Sequence, residues 1–175
     1  MELKDIRVRN FRTIESEQHL RIPGSMTIVG PNNSGKTNLL KAVQLLFTGL
    51  NNSYGYTREL DLTFGAGKSR TSIVATFDGD PDQEKEVYEA IDELHELQGT
   101  SRSGSQLNLT LYFTDTNTPV YSFFPNVKRP KAGAKAAQYS RTHIGLVNRV
   151  LGDFSLHYVP SAKSVDQIYG DLLIP

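Results

Sequence analysis

The stretch "MTIVGPNNSGKTNLLKAV", Met26 to Val43, joins a four-residue apolar run to a polar loop and then to an apolar-periodic segment. Within it, Gly30-Pro31-Asn32-Asn33-Ser34-Gly35-Lys36-Thr37 matches G-x-x-x-x-G-K-[ST] at every fixed position. Glycines in such a loop let backbone N–H groups converge on phosphate oxygens at the start of a helix. Lys36 would meet the β- and γ-phosphates as a point charge, and the Thr37 hydroxyl would ligate Mg²⁺. Asn33 stands where many such loops carry a third Gly, and Asn is among the few other residues that tolerate a left-handed backbone. The plain alternative is an accidental match in an ordinary strand-turn-helix. With Gly at about 7% of residues, the four fixed positions coincide by chance in under ~1% of chains this long.

Working outward, the sequence predicts a strand over Leu3 to Phe11, with Ile6 and Val8 on one face and Arg7 and Arg9 on the other. "EQHLRI", Glu17 to Ile22, is a second strand. Pro23-Gly24 turns the chain into a short buried strand, Met26 to Val29. A helix is expected from about Gly35 to Thr48, its stripe formed by Leu39, Val43 and Leu46 and widened by Leu40 and Phe47, with Gly49 as its stop. Residues 51 to 70 read as loop. "TSIVATFDGD" is a strand with Ile73, Ala75 and Phe77 on one face. A helix follows from Asp80 (N-cap) and Pro81 to Gln98, with Val87, Ile91 and Leu94 as its seam and Gly99 closing it. "QLNLTLYF" and "VYSFF" form an antiparallel hairpin across a turn at Asn117 to Pro119. A third helix, Gln138 to Leu151, leads into a strand "FSLHYV".

The 175 residues suit one domain or one lobe of a larger one. Lys+Arg and Asp+Glu number 19 each, so net charge identifies no partner. There is no Cys, which excludes disulfides and thiolate metal sites and fits a reducing compartment. No run reaches the length of a membrane span, and "MELKDIRVRN" lacks the apolar stretch of a signal peptide. A cytoplasmic protein with no membrane partner is the expectation.

Two segments imitate nucleotide-site motifs. "FGAGKS", Phe64 to Ser69, contains Gly67-Lys68-Ser69, but Leu62 stands where the first Gly is required, and a turn is the expectation. "LTLYFTD" ends in Asp115 after an apolar strand, as a Mg²⁺-organising strand does. It alternates, however, and Thr116 follows where a catalytic Glu belongs, so a half-exposed hairpin is the reading.

"IRVRNFRTIES", then an antiparallel strand, then "TIVGPNNSGKTNLLKAVQLLF" resembles the N-terminal lobe of ABC-type ATPase heads of the RecF, SMC and OLD (overcoming lysogenization defect) group, including ATPases of anti-phage systems and DNA repair. Asn10-Phe11-Arg12, Gly30 to Thr37 and the helix face of Asn38, Leu39, Leu40 and Ala42 carry this resemblance. "LHYVPSAKSVDQIYGDLL" is similar to the segment ending the first lobe in OLD-like ATPases. The resemblance implies an α/β P-loop NTPase fold: a strand-helix unit bearing the loop, beside an antiparallel β subdomain. It implies that Gly30 to Thr37 hold the triphosphate of ATP, with Mg²⁺ as cofactor, that Asn38 approaches the α-phosphate, and that Arg12 sits near the nucleotide. Gln167 is the candidate for completing the Mg²⁺ site, with Gln106 and Gln138 competing. An ABC-type head also needs a signature motif, an apolar strand ending in Asp-Glu and a switch His. None is present, and "RSGSQ", Arg102 to Gln106, opens a strand instead of a helix. Residues 1–175 are therefore expected to be the nucleotide-binding lobe of a longer ATPase, without a catalytic base or second lobe of their own.

Between Thr116 and Gly152 there is no acid, whereas Lys128, Arg129, Lys131, Lys135, Arg141 and Arg149 are basic, with Tyr121, Phe123, Phe124 and Tyr139 among them. Such a stripe suits a nucleic-acid backbone, with Lys128, Arg129, Lys131 and Lys135 as DNA-contact candidates. The alternative is a solvated loop, "KRPKAGAKAA", with the aromatics in the core. Asp78 to Glu96 carries nine acids against Lys85, a solvated outer face. His19, His95, His143 and His157 lack metal-ligand spacing. The resemblance implies a homodimer of heads closed by ATP, acting in DNA processing or anti-phage defence, with a nuclease domain or subunit as a possible associate. The alternatives are a self-contained P-loop kinase or GTPase, against which stand the missing Arg-rich lid and Asn-Lys-x-Asp motif, and a non-hydrolysing ATP-sensing scaffold for a nuclease.

Overall fold

A computed structural model describes residues 1–32, 34–51 and 54–157. Alternation of apolar and polar residues produces five strands: β1 (Glu2–Arg9), β2 (Gln18–Arg21), β3 (Ser72–Asp78), β4 (Leu107–Phe113) and β5 (Pro119–Ser122). They form one sheet in the order β2-β1-β3-β4-β5, every pairing antiparallel. Ile6 and Val8, then Ile73, Ala75 and Phe77, then Leu109 and Leu111 are fully buried on the inward face. Neighbouring positions such as Thr76 and Asn108, joined by a 2.8 Å side-chain hydrogen bond, face the other way. This is the inside-outside pattern of an antiparallel sheet covered on one face.

Four helices accompany it: α1 (Lys36–Thr48), α2 (Arg58–Asp61), α3 (Lys85–Gln98) and α4 (Gly133–Gly152). Ala42, Leu45 and Leu46 of α1, Val87, Ile91 and Leu94 of α3, and Leu146, Val147 and Val150 of α4 share one core with the sheet. The buried face of α1 is therefore rotated from the predicted stripe: Leu39 and Val43 are half-buried and Leu40 is exposed. Gly99 ends α3 as expected, in the left-handed conformation (φ 69°), its N–H returning to the carbonyls of Glu96 and His95. The β4–β5 hairpin also forms as read, with Phe113 opposite Pro119.

Four expectations are corrected. Met26–Val29 pairs with no strand, and Met26 and Val29 are 41% and 83% exposed. An extended segment becomes a buried strand only where a neighbour takes its N–H and C=O groups, and none of the five strands runs beside it. The helix foreseen from Asp80 begins at Lys85, because Asp80 builds a separate turn. Its carbonyl accepts from the N–H groups of Gln83 and Glu84, and its carboxylate accepts from Asp82 N–H. Helix α4 begins five residues before Gln138, since Ala134, Ala136 and Ala137 favour helix over the predicted loop. Phe154–His157 has no strand partner. The Phe154 ring instead lies 5.6 Å from that of Phe47 and 5.3 Å from that of Phe77.

His143 is buried on α4 between the rings of Phe123 and Tyr139, and its Nε2 has no hydrogen-bond partner among the described residues. Burial first, and the Arg129 charge second, push its pKa down from 6.5 to about 4. The unfolded chain therefore binds a proton at a higher pH than the folded one. The stability this neutral ring allows is complete above pH 6.5 and is lost progressively as pH falls toward 4. At pH 5 the loss is about 2 kcal/mol. Urea midpoints at pH 7 and pH 5 should differ accordingly, and the difference should shrink by that amount in His143→Phe, which does not titrate.

Candidate functional site

The phosphate-loop motif lies at the N-terminus of α1. Gly35 is the helix N-cap at φ 88°, a left-handed value that glycine adopts without the strain a Cβ would add. No side chain caps the helix and no acid lies in its first turn, so its leading N–H groups and the positive end of its dipole are left for an anion. The loop before it is closed by Ser34 N–H donating to Pro31 O and by Lys36. The Lys36 ammonium donates to Gly30 O and Pro31 O, both at 2.6 Å, and to Ser34 Oγ at 3.3 Å.

Asn32, Ser34, Gly35, Lys36, Thr37 and Asn38 come together with Thr13 around a cleft of about 630 Å³. That lies within the range of small-ligand sites. No carboxylate lines it. Gly30 and Pro31 contribute carbonyls to Lys36 instead of a wall, and Asn33 lies outside the described residues. The Asn38 amide donates to Thr13 Oγ1 at 2.9 Å, which ties α1 to the corner after β1. Thr13 carries no sequence signal beyond its place after Asn-Phe-Arg.

That corner is tightly made. Asn10 and Arg12 both have left-handed backbones (φ 53° and 52°), and Phe11 between them is fully buried, bridging to Ile14 and Leu62. Left-handed non-glycine residues cost about 1–2 kcal/mol each. Arg12 does not line the cleft; its Nε donates to Asp61 Oδ1 at 2.8 Å. Asp61, in a segment that reads as loop, is 2% exposed.

Gln167 lies outside the described residues. Gln138 bonds to Glu93, on α3. Among the described residues no group of three or more His, Cys, Asp or Glu could hold a metal ion. An ion at Thr37 would take its remaining ligands from phosphate and water, as Mg²⁺ commonly does.

The other motifs fall away from the cleft. Phe64 to Ser69 forms consecutive turns with Gly65 and Gly67 at positive φ. Asp115 sits in the β4–β5 turn and pairs with Arg58 at 3.5 Å. Lys128, Arg129 and Lys131 precede α4, while Lys135 lies on its first turns, all four exposed. The aromatics among them do not form an interface: Tyr121, Phe123 and Tyr139 are buried in the core. Arg129 donates to Tyr121 O and lies over the Tyr139 ring. The acids of α3 are partly engaged, Asp92 by Arg102 and Glu86 by Arg149.

An antiparallel sheet beside a helix that starts at a phosphate-loop sequence is the fold of the first lobe of an ABC-type ATPase head, within the P-loop NTPases. The chain belongs to the AAA ATPase domain family, whose model matches residues 1–145. Among solved structures, it is similar to one from work on ATP-driven dimerization and DNA-stimulated activation of SMC ATPases. That pair shares 12% identity and a TM-score of 0.52, over 100% of this chain and 93% of the other. It is also similar to the recombination mediator RecF with ATP, at 18% identity and a TM-score of 0.44, covering 78% of this chain and 29% of that one. The Smc head bound to the C-terminal winged-helix domain of ScpA shares 13% identity and a TM-score of 0.46, covering 80% of this chain and 39% of that chain. No curated protein sequence matches. Among the described residues no helix is long and apolar enough to cross a membrane.

Proposed function

We propose that residues 1–175 are the ATP-binding lobe of an ATPase whose heads close on ATP as a homodimer, acting on DNA in repair or anti-phage defence. The observation that carries the reading is the uncapped, acid-free N-terminus of α1, entered through left-handed Gly35 and beside the Lys36 ammonium. Thr37 would hold Mg²⁺ with the β- and γ-phosphate oxygens, and the bound ion would offset their charge. The cleft contains no carboxylate to orient water. Hydrolysis therefore draws on groups from a second lobe or a second head. Calorimetric titration of ATP with and without Mg²⁺ tests the binding, and light scattering with and without ATP tests the association. Micromolar Mg²⁺-dependent binding with ATP-dependent doubling of mass is expected. Absence of binding would overturn the reading.

The DNA part rests on Lys128, Lys131 and Lys135, exposed and without acidic partners among the described residues, together with Arg129. Reversing Lys128, Arg129 and Lys131 to Glu should lower the slope of log affinity against log salt for duplex DNA by about 3, roughly one per lost phosphate contact. Fluorescence anisotropy across a KCl series reads this slope. An unchanged slope would assign these cations to solvent.

A further inference from the structure

The corner after β1 holds a buried acid for which the phosphate-loop pattern gives no reason. Asp61 ends α2 and is 2% exposed, yet it meets one cation only. Its Oδ1 accepts from Arg12 Nε at 2.8 Å and its Oδ2 from Thr57 N–H at 3.0 Å. The Arg12 backbone is held to the same residue, its N–H donating to Asp61 O at 2.7 Å. The guanidinium lies 5.6 Å from the centre of the Phe11 ring and 5.9 Å from that of Tyr54. Thr63 Oγ1 donates to Ile14 O, so the segment from Thr57 to Thr63 straps the whole corner.

This geometry fixes one edge of the guanidinium and leaves the other. An arginine–carboxylate pair built only for stability tends to be a two-point fork, with both carboxylate oxygens on the same guanidinium. Here the second oxygen goes to backbone, and among the described residues the two Nη atoms of Arg12 have no hydrogen-bond partner. The side chain retains 28% exposure. Thr13, the next residue, lines the phosphate-loop cleft and bonds to Asn38 at the head of α1. A fork of N–H donors, held by its Nε and unpaired at its tip, suits a phosphate oxygen of an anion in that cleft.

We propose that Asp61 is a positioning residue for the nucleotide site, fixing Arg12 so that its Nη pair is free for the phosphate chain. The inference rests on the reading of the cleft as an ATP site. Isothermal titration of Mg²⁺-ATP into the full chain tests it, using wild type, Arg12→Ala, Arg12→Lys, Asp61→Asn and the Arg12→Ala/Asp61→Asn double variant, with a thermal melt of each. Arg12→Ala should weaken ATP about tenfold, and Asp61→Asn by roughly three- to tenfold. The double variant should bind no more weakly than Arg12→Ala, because the acid acts through the arginine. Arg12→Lys should not restore affinity, since an ammonium has no second edge to offer while paired to Asp61. Asp61→Asn that lowers the melting temperature but leaves ATP affinity unchanged would overturn the proposal, as would additive losses in the double variant. If Asp61→Asn does not fold, Asp61→Glu, which displaces the carboxylate by one methylene, is read the same way: weaker binding in wild type but not in Arg12→Ala supports the role, and equal binding refutes it. Lys36→Ala separates the two readings. If it binds as wild type, the cleft is not the ATP site; if it binds weakly while Asp61→Asn does not, only the positioning role fails.

Discussion

Replacing Lys36 by alanine is expected to weaken Mg²⁺-ATP binding by on the order of 10²-fold while leaving the fold intact. The ammonium is the one cation lining the cleft, and its three donors now go to Gly30 O, Pro31 O and Ser34 Oγ. An arriving phosphate must draw it away from at least one of these. Each charge-assisted bond to a phosphate oxygen is worth about 1.5–3 kcal/mol, so losing one or two accounts for the expected fall. The cost to stability is small, because the loop is exposed and water replaces the lost donors. The melting temperature should move by no more than ~2 °C. Lys36→Arg should restore little, since a planar fork cannot serve two carbonyls and a hydroxyl that converge on one point. Calorimetry and a thermal melt on the three proteins decide it. Equal affinities for wild type and Lys36→Ala would remove the loop from the binding site.

What the sequence makes legible here is what local chemistry determines. Ile73, Ala75 and Phe77 alternate with polar residues and fall on one buried face, and the β4–β5 hairpin closes where Asn117 can adopt φ 62°. The loop motif and the start of α1 are local too. What stays hidden depends on partners distant in sequence. Met26–Val29 is as apolar as a buried strand, yet whether a strand lies beside it is not written in those four residues. Asp61 looks like one polar residue in a loop. Its meaning comes from Arg12, 49 positions earlier, which meets it only after the chain has turned left-handed twice. The aromatics between Tyr121 and Tyr139 read equally well as core or as a stacking surface, because composition does not say which side of a sheet they face. Tyr121 is settled by a contact across the core, its hydroxyl donating to Leu46 O.

The largest loss of stability is expected from Phe77→Ala, about 3–5 kcal/mol. Phe77 is fully buried on β3, and its ring meets Phe154, which in turn meets Phe47 near the end of α1. Truncation leaves a cavity at the point where the sheet, the chain after α4 and α1 converge. Strands fix the backbone there, so collapse is limited and the cost lies toward the upper end of the range for buried aromatics. The melting temperature should fall by roughly 6–20 °C, whereas Phe77→Leu should cost about 1–2 kcal/mol. The same variant tests whether the cleft depends on how firmly α1 is seated. Phe47 is eleven residues beyond Lys36 on α1, so the cavity and the phosphate loop lie about 16 Å apart along the helix. Effects at that distance add when nothing links them. ATP at one hundred times its Kd should then stabilise wild type and Phe77→Ala equally, by about 2.7 kcal/mol. Urea melts with and without Mg²⁺-ATP measure both values. An ATP gain that disappears in Phe77→Ala would mean that the loop takes its shape from the seat of α1 on the sheet, and not from the Gly35 turn and the Lys36 bonds alone.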